Sequence, residues 1–158
     1  EDIGLRCAHK YSFRGKYMAD IKSDYFEAIN NGLADGTPCL VGTVSAENTP
    51  EISPKGSVVV YDAQNIAYWE RAYRGAASNI QANSNVVIYY RNADRAESLP
   101  QGAALRFYGT ASVVEDDAVR NAVYDMMCER EQNSDAERKG QAVMVKIDRV
   151  TSLRGDDV

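Results

Sequence analysis

The pattern of apolar and polar positions predicts a chain built mainly from strands. Over residues 104–114 every second position is apolar or small, which is typical of a strand with one buried face. Residues 38–45, 85–91 and 141–152 are rich in β-branched residues and predict three more strands. Residues 50–61 and 65–70 are two further runs of this kind. The polar turn between them, residues 62–65, predicts a β-hairpin.

Three segments have the spacing of helices. Between residues 17 and 33 the positions Ile21, Tyr25, Ile29 and Leu33 recur every four residues, which predicts an amphipathic helix. A short helix is predicted around residues 76–80, and acidic residues 115–117 introduce a third with one apolar face. Residues 132–140 read as a charged connection. Residues 1–16 show no periodicity and are interpreted as an irregular N-terminal arm that could lie across a partner subunit. A single domain is predicted over residues 17–158.

The order of these elements predicts a mainly β fold with peripheral helices, an antiparallel barrel of six strands. Within the run over residues 50–61, Ser53-Pro54-Lys55-Gly56 interrupts the strand. Proline and glycine inside a strand indicate a sheet edge, a bulge or a close approach of a ligand to the backbone. Arg71 and Arg74 lie just before the short helix. Guanidinium groups beside free backbone N–H groups are suited to an anion such as a phosphate.

Composition narrows the class of protein. The chain has 158 residues and a net charge of −5, which disfavours binding to nucleic acid or to an anionic membrane surface. No apolar run is long enough to span a membrane. The three cysteines are odd in number and far apart, so we expect reduced thiols in a cytoplasmic protein, with Cys39 and Cys128 buried. Cys7 and His9 form one isolated pair, which argues against a zinc site.

Several short motifs occur together in a recognisable order: Leu40-Val41-Gly42-Thr43-Val44, Ile52-Ser53-Pro54, Tyr68-Trp69, Asn79-Ile80, Asn85-Val86-Val87 and Gly109-Thr110-Ala111. In this order the chain resembles the FMN-binding split-barrel family, the group related to pyridoxamine 5′-phosphate oxidase. The resemblance extends over roughly residues 25–150. Each motif alone is weak evidence for the family, and the resemblance depends on their order and spacing.

The resemblance implies a split β-barrel that forms a homodimer with FMN at the subunit interface. It implies an oxidoreductase acting on a small molecule, with an electron donor such as a nicotinamide nucleotide. By position, backbone groups at residues 55–58 would line the flavin, and Lys55 would stabilise negative charge on its reduced ring. Arginines and helix residues would hold the phosphate, and Arg106 would reach across from the partner. The implied cofactor-binding residues are Lys55, Gly56, Ser57, Val58, Tyr68, Trp69, Glu70, Arg71, Arg74, Ser78, Asn79 and Arg106.

Two departures from the family pattern limit what it implies. Many relatives have an Arg-Lys pair before the asparagine of the short helix, where this chain has Ala76-Ala77-Ser78. Phosphate binding would then depend more on Arg71 and Arg74. The C-terminal segment lacks the arginine-rich ending of true pyridoxamine 5′-phosphate oxidases. This argues against pyridoxamine 5′-phosphate as the substrate.

Other interpretations remain open at this stage. Arg71 and Arg74 alone would more often be solvated surface residues, and Tyr68 and Trp69 more often barrel core. The main alternative to an enzyme is a non-catalytic protein that binds or senses a flavin or deazaflavin. A structural dimer with a degenerate site is a third reading. Haem is disfavoured because the single histidine, His9, falls in the predicted arm.

Overall fold

The computed structural model describes residues 19–73 and 75–158. The predicted N-terminal arm, with Cys7 and His9, and also Arg74 lie outside these ranges. Within these ranges, seven strands form one sheet: β1 Cys39–Val44, β2 Pro50–Lys55, β3 Val59–Asp62, β4 Asn65–Glu70, β5 Asn85–Arg91, β6 Ala104–Val113 and β7 Gln141–Ser152. The α-helices are α1 Phe26–Asn30, α2 Ala76–Ala82, α3 Asp117–Met126 and α4 Glu129–Asn133. Short 3₁₀ turns occur at Ser23–Tyr25 and Ala93–Arg95.

The sheet has the order β2-β1-β5-β6-β7-β4-β3, and all its pairs of strands are antiparallel. The predicted mainly β class is therefore confirmed, and the predicted number of six strands is wrong. The run over residues 50–61 is not one interrupted strand. It forms β2 and β3, which lie at opposite edges of the sheet. The sheet curls, and the chain crosses between its edges at residues 56–58.

Side chains hold the two edges together at this crossing. Ser57 lies between β2 and β3, and its hydroxyl donates to the carbonyl of Trp69 at 3.0 Å. The same oxygen accepts from the amide of Trp69 at 3.1 Å. At the end of β2, the ammonium of Lys55 is 2.5 Å from a carboxylate oxygen of Glu70 at the end of β4. Pro54 is tolerated because β2 is an edge strand and its missing N–H breaks no central ladder.

Two apolar clusters stabilise the fold. The larger fills the inside of the curled sheet, where Tyr68, Ile88, Phe107 and other buried side chains meet α1. The smaller lies on the outer side, where Trp69 and Ala142 pack against Val123, Tyr124 and Met127. Successive residues Tyr68 and Trp69 belong to different clusters because neighbouring side chains of a strand point to opposite faces.

Three details of the sequence interpretation need correction. The predicted helix over residues 17–33 is limited, in the described residues, to the turn Ser23–Tyr25 and α1, because the amide of Ile21 donates to the carbonyl of Ala63 instead of a helical partner. The connection over residues 132–140 begins inside α4. Cys128 is exposed at the start of α4, whereas Cys39 is buried, and burial raises the pKa of its thiol to about 12.

The other sequence boundaries agree closely with the structure. The strands predicted over residues 85–91 and 141–152 have those bounds, and Asp116 begins α3 by accepting from the amide of Val119 at 2.9 Å. None of the helices in the described ranges is long and apolar enough to cross a membrane.

Candidate cofactor-binding cleft

A cleft of about 180 Å³ lies where the chain crosses from β2 to β3. It brings together predicted site residues from both halves of the hairpin region, Lys55, Gly56, Ser57, Trp69, Glu70 and Arg71. Pro54, Ala72 and Glu131 complete its lining. Strands β2 and β4 both end at the cleft, and strand ends leave backbone N–H and C=O groups without partners in the sheet. Backbone polar groups are therefore available in the cleft.

The floor of the cleft is a buried ion pair. The Lys55 ammonium is 2.5 Å from Glu70, and the two side chains are 14% and 3% exposed. The second oxygen of Glu70 accepts from the amide of Ala72 at 3.1 Å. Lys55 also lies 5.6 Å from the centre of the Tyr68 ring. Burial, together with the nearby charge of Glu70, raises the pKa of Tyr68 above its ordinary value, so its hydroxyl stays protonated.

A second ion pair stands at the mouth of the cleft. Arg71 reaches Glu131 of α4 with 3.4 Å between nitrogen and oxygen. The Arg71 side chain is 44% exposed, while that of Glu131 is 12% exposed. The other oxygen of Glu131 would be 2.8 Å from a Cβ placed on Gly56, and Leu33 lies equally near. Glu131 therefore rests on the backbone where the family resemblance places the flavin.

Trp69 borders the cleft, but its indole points into the outer apolar cluster. The ring meets Tyr124 edge-on at 5.2 Å, and the guanidinium of Arg120 lies 4.8 Å from it. The indole N–H donates to Asp135 at 2.7 Å. Burial alone would raise the pKa of Asp135. Hydrogen bonds from Trp69 and from two backbone amides outweigh it and hold that pKa below its ordinary value of 3.8.

The two predicted residues of α2 lie outside this cleft. Asn79 is buried, and its amide donates to Thr43 at 2.9 Å and to Glu51 at 3.2 Å. Ser78 is exposed and donates to the carbonyl of Gly75 at 2.9 Å. Asn79 thus ties α2 to β1 and β2, and the role of both residues in holding a phosphate stays a prediction.

Val58 and Arg106 are also away from the cleft. Val58 is buried in the larger apolar cluster. Arg106 lies on β6, where it donates to the carbonyls of Ser152 at 3.0 Å and Leu153 at 2.9 Å. Its guanidinium is 5.9 Å from the centre of the Tyr89 ring. The contact of Arg106 with a cofactor in the partner subunit stays a prediction.

An exposed apolar face begins on the same edge strand as the cleft. Ile52, Gly42, Val87 and Tyr108 are consecutive cross-strand neighbours on β2, β1, β5 and β6. They line a shallow groove of about 410 Å³, and Ile52 is 70% exposed. We call this surface the apolar face. Large exposed apolar side chains in one row are typical of an interaction surface.

The cleft offers the kinds of groups that FMN needs, but not enough space. Lys55 and Arg71 are cations suited to phosphate or ring oxygens. The predicted site residue Tyr68 does not line the cleft, because its side chain is buried in the larger apolar cluster. Pockets for such ligands generally measure about 300–1,000 Å³. The cleft of one chain is therefore smaller than such pockets.

Sequence reasoning missed one residue of the cleft that carries charge, Glu131. It belongs to a stretch rich in charged residues, and no local pattern connects it to Arg71. The packing of α3 against β4, with α4 following directly after α3, brings the two together.

The sequence matches the pyridoxamine 5′-phosphate oxidase family over residues 26–154. This chain belongs to that family. The resemblance noted from the motifs is thereby confirmed, and proteins of this family are typically dimers. None of the curated proteins matches the sequence significantly.

Solved structures of the same fold have differing names. The HupZ protein of Group A Streptococcus is 24% identical, with 87% of this chain and 98% of that chain covered and a TM-score of 0.65. An FMN-binding protein from Syntrophomonas wolfei is 11% identical, with coverage of 82% and 86% and a TM-score of 0.62. HutZ, the heme storage protein from Vibrio cholerae, is 19% identical, with coverage of 72% and 83% and a TM-score of 0.55. At sequence identities of 11–24%, these similarities show only a common fold.

Proposed function

We propose that this member of the family binds FMN in the cleft between β2 and β4 and acts as an oxidoreductase on a small molecule. The observation that carries the proposal is the convergence of Lys55, Gly56, Ser57, Glu70 and Arg71 on one cleft. The family assignment, and an FMN-binding protein among the structures of the same fold, support it.

Bound FMN supplies the hydride and electron chemistry, so the chain needs to bind and orient it. Arg71 is the cleft residue suited to the phosphate, because a guanidinium fork binds it through two hydrogen bonds. The backbone at Gly56 and Ser57 would contact the ring. Lys55 would face its polar edge, although Glu70 already offsets much of the Lys55 charge. The contribution of Arg74 to phosphate binding remains part of this proposal.

We also propose that two copies associate through the apolar face and complete the site. The face and the cleft share strand β2, where Ile52 lies on the face and Pro54 borders the cleft. A second copy seated on this face would extend the small cleft toward the volume that the cofactor requires. It would also bring a second Arg106 to the interface.

The first experiment is an absorption spectrum of the purified protein before and after addition of FMN, with identification of any pigment released by heat. We expect flavin bands, one FMN per chain and quenching of the single tryptophan, Trp69, which borders the cleft. A protein that ignores FMN but binds the deazaflavin F420 would support the deazaflavin alternative. A Soret band from added haem would instead favour storage of the kind named for HutZ. Bound flavin without turnover of any donor would favour a sensor.

Replacing Arg71 with alanine should weaken FMN binding by roughly tenfold, because one charge-assisted contact to the phosphate is lost. Titration of Trp69 fluorescence measures the dissociation constant. Arg130→Ala removes an exposed arginine of α4 and serves as the matched control with unchanged affinity. Equal affinities for wild type and Arg71→Ala would remove Arg71 from the site.

Replacing Ile52 with lysine should convert the dimer to a monomer, because it places a charge at the most exposed large apolar side chain of the apolar face. Light scattering gives the mass in solution. Met126→Lys is the matched control, since Met126 is an exposed apolar residue on α3, away from this face. A monomeric wild type, or a dimer that survives Ile52→Lys, would show that the apolar face is not the interface.

A further inference from the structure

The charges of the cleft are already paired within the chain. Among the described residues that line it, the two cations are Lys55 and Arg71, and the two carboxylates are Glu70 and Glu131. Lys55 is engaged by Glu70 and Arg71 by Glu131. The cleft as it stands therefore presents no surplus of positive charge from these four groups. A phosphate that binds Arg71 inside the cleft therefore comes close to the carboxylate of Glu131.

The position of Glu131 differs from that of an ordinary surface acid. One of its oxygens faces the Arg71 guanidinium, and the other rests on the backbone of Gly56. Its side chain is only 12% exposed, although its partner Arg71 is 44% exposed. Glu131 thus lies inside the cleft, over the place where a planar ring would contact the backbone, while Arg71 keeps a face open to solvent.

The backbone that carries Glu131 is firmly held. The side-chain amide of the next residue, Gln132, donates to the carbonyls of Tyr124, Asp125 and Met127 at 3.1–3.3 Å. In return, the hydroxyl of Tyr124 donates to the carbonyl of Gln132 at 2.8 Å. These contacts fix the junction of α3 and α4. Clearing the cleft therefore requires a change of the Glu131 side chain and not a movement of the helix.

We propose that Glu131 is a self-blocking residue of the cleft, which occupies the anion position at Arg71 and must be displaced by the phosphate of the cofactor. This inference rests on the proposed function. A dianionic phosphate replaces the carboxylate because it carries more charge and binds a guanidinium through two oxygens. The negative charge of Glu131 lowers the affinity for phosphorylated ligands because it opposes the phosphate, and it leaves the affinity for the same uncharged ring without a phosphate nearly unchanged. Glu131 is thus a specificity-determining residue, because it reduces the ratio of the affinity for FMN to the affinity for riboflavin.

The test compares FMN and riboflavin binding to wild type, Glu131→Gln and Glu129→Gln by titration of Trp69 fluorescence. Glutamine keeps the shape of the side chain and removes its charge. We expect Glu131→Gln to bind FMN about three- to tenfold more tightly and riboflavin within about twofold of wild type. Glu129 is exposed on the same helix, so Glu129→Gln matches the change in net charge and should leave both affinities unchanged.

Four results would overturn the inference. If Glu131→Gln and Glu129→Gln raise the affinity for FMN equally, the effect is one of net charge at long range. Equal gains in affinity for FMN and riboflavin would show that the Glu131 charge acts on the ring site and not on the phosphate, and no gain for either ligand would show that the charge does not affect binding. A loss of FMN affinity in Glu131→Gln would show that Glu131 assists binding. In each case wild type still binds FMN and the proposed function stands, whereas a chain that binds neither ligand in any variant overturns both.

Discussion

Replacing Lys55 with methionine is expected to lower the free energy of unfolding by about 3 kcal/mol, because it leaves a buried carboxylate without its counter-ion. Glu70 is 3% exposed, and Lys55 is its cationic partner at 2.5 Å. After the substitution one oxygen of Glu70 keeps its hydrogen bond from the amide of Ala72, and the other loses its partner. Urea unfolding followed by circular dichroism measures the loss.

A double variant tests whether loss of the ion pair causes the decrease in stability. Lys55→Met with Glu70→Gln removes both charges, so it should be more stable than Lys55→Met alone. The coupling from the double-mutant cycle should be about 1–3 kcal/mol. A coupling near zero, with a small loss for Lys55→Met, would mean that water reaches Glu70 and replaces the lysine. The floor of the cleft would then be a hydrated surface, poorly suited to hold a flavin ring.

The sequence was a good guide to the sheet because each strand carries its own local signal. The bounds of β5 and β7 follow from uninterrupted β-branched and aromatic runs between polar residues. The helix over residues 17–33 was extended too far for the opposite reason. Its four-residue spacing reports which side chains face the core, and Ile21, Tyr25 and Ile29 are indeed buried. It does not report hydrogen bonding, and the amide of Ile21 is bonded to the β3–β4 turn.

The same distinction between local sequence signals and contacts between distant segments applies to the candidate site. Lys55, Gly56, Glu70 and Arg71 were found because each adjoins a strand of one hairpin region and matches a family motif. Glu131 could not be found in this way. It reaches the cleft through α3, whose Val123 and Tyr124 pack on Trp69, so its role depends on contacts between distant segments. The placement of β2 and β3 at opposite sheet edges was likewise missed. The interruption at Ser53-Pro54-Lys55-Gly56 fits a bulge within one strand as well as a crossing between two.

Replacing Gly109 with alanine should also destabilise the fold by about 3 kcal/mol, because no space exists for a methyl group at this position. Gly109 pairs with Ile147 where the register of β6 and β7 shifts. A Cβ placed on it would lie 2.2 Å from the carbonyl oxygen of Lys146, a backbone atom that cannot turn aside. Either the two strands separate or the bulge is lost. This packing gives a physical reason for glycine in the Gly109-Thr110-Ala111 motif.

Gly36→Ala is the matched control, because it tests the same change without crowding. Gly36 has φ of +75° and no atom within 4 Å of the added Cβ. Gly36→Ala should lower the free energy of unfolding by about 1 kcal/mol, because alanine is less stable than glycine in the left-handed backbone region. Thermal and urea unfolding of both variants measure the difference. If Gly109→Ala costs no more than Gly36→Ala, then β6 and β7 adjust at the bulge. The sheet that positions β4 and the cleft would then be less rigid than its packing indicates.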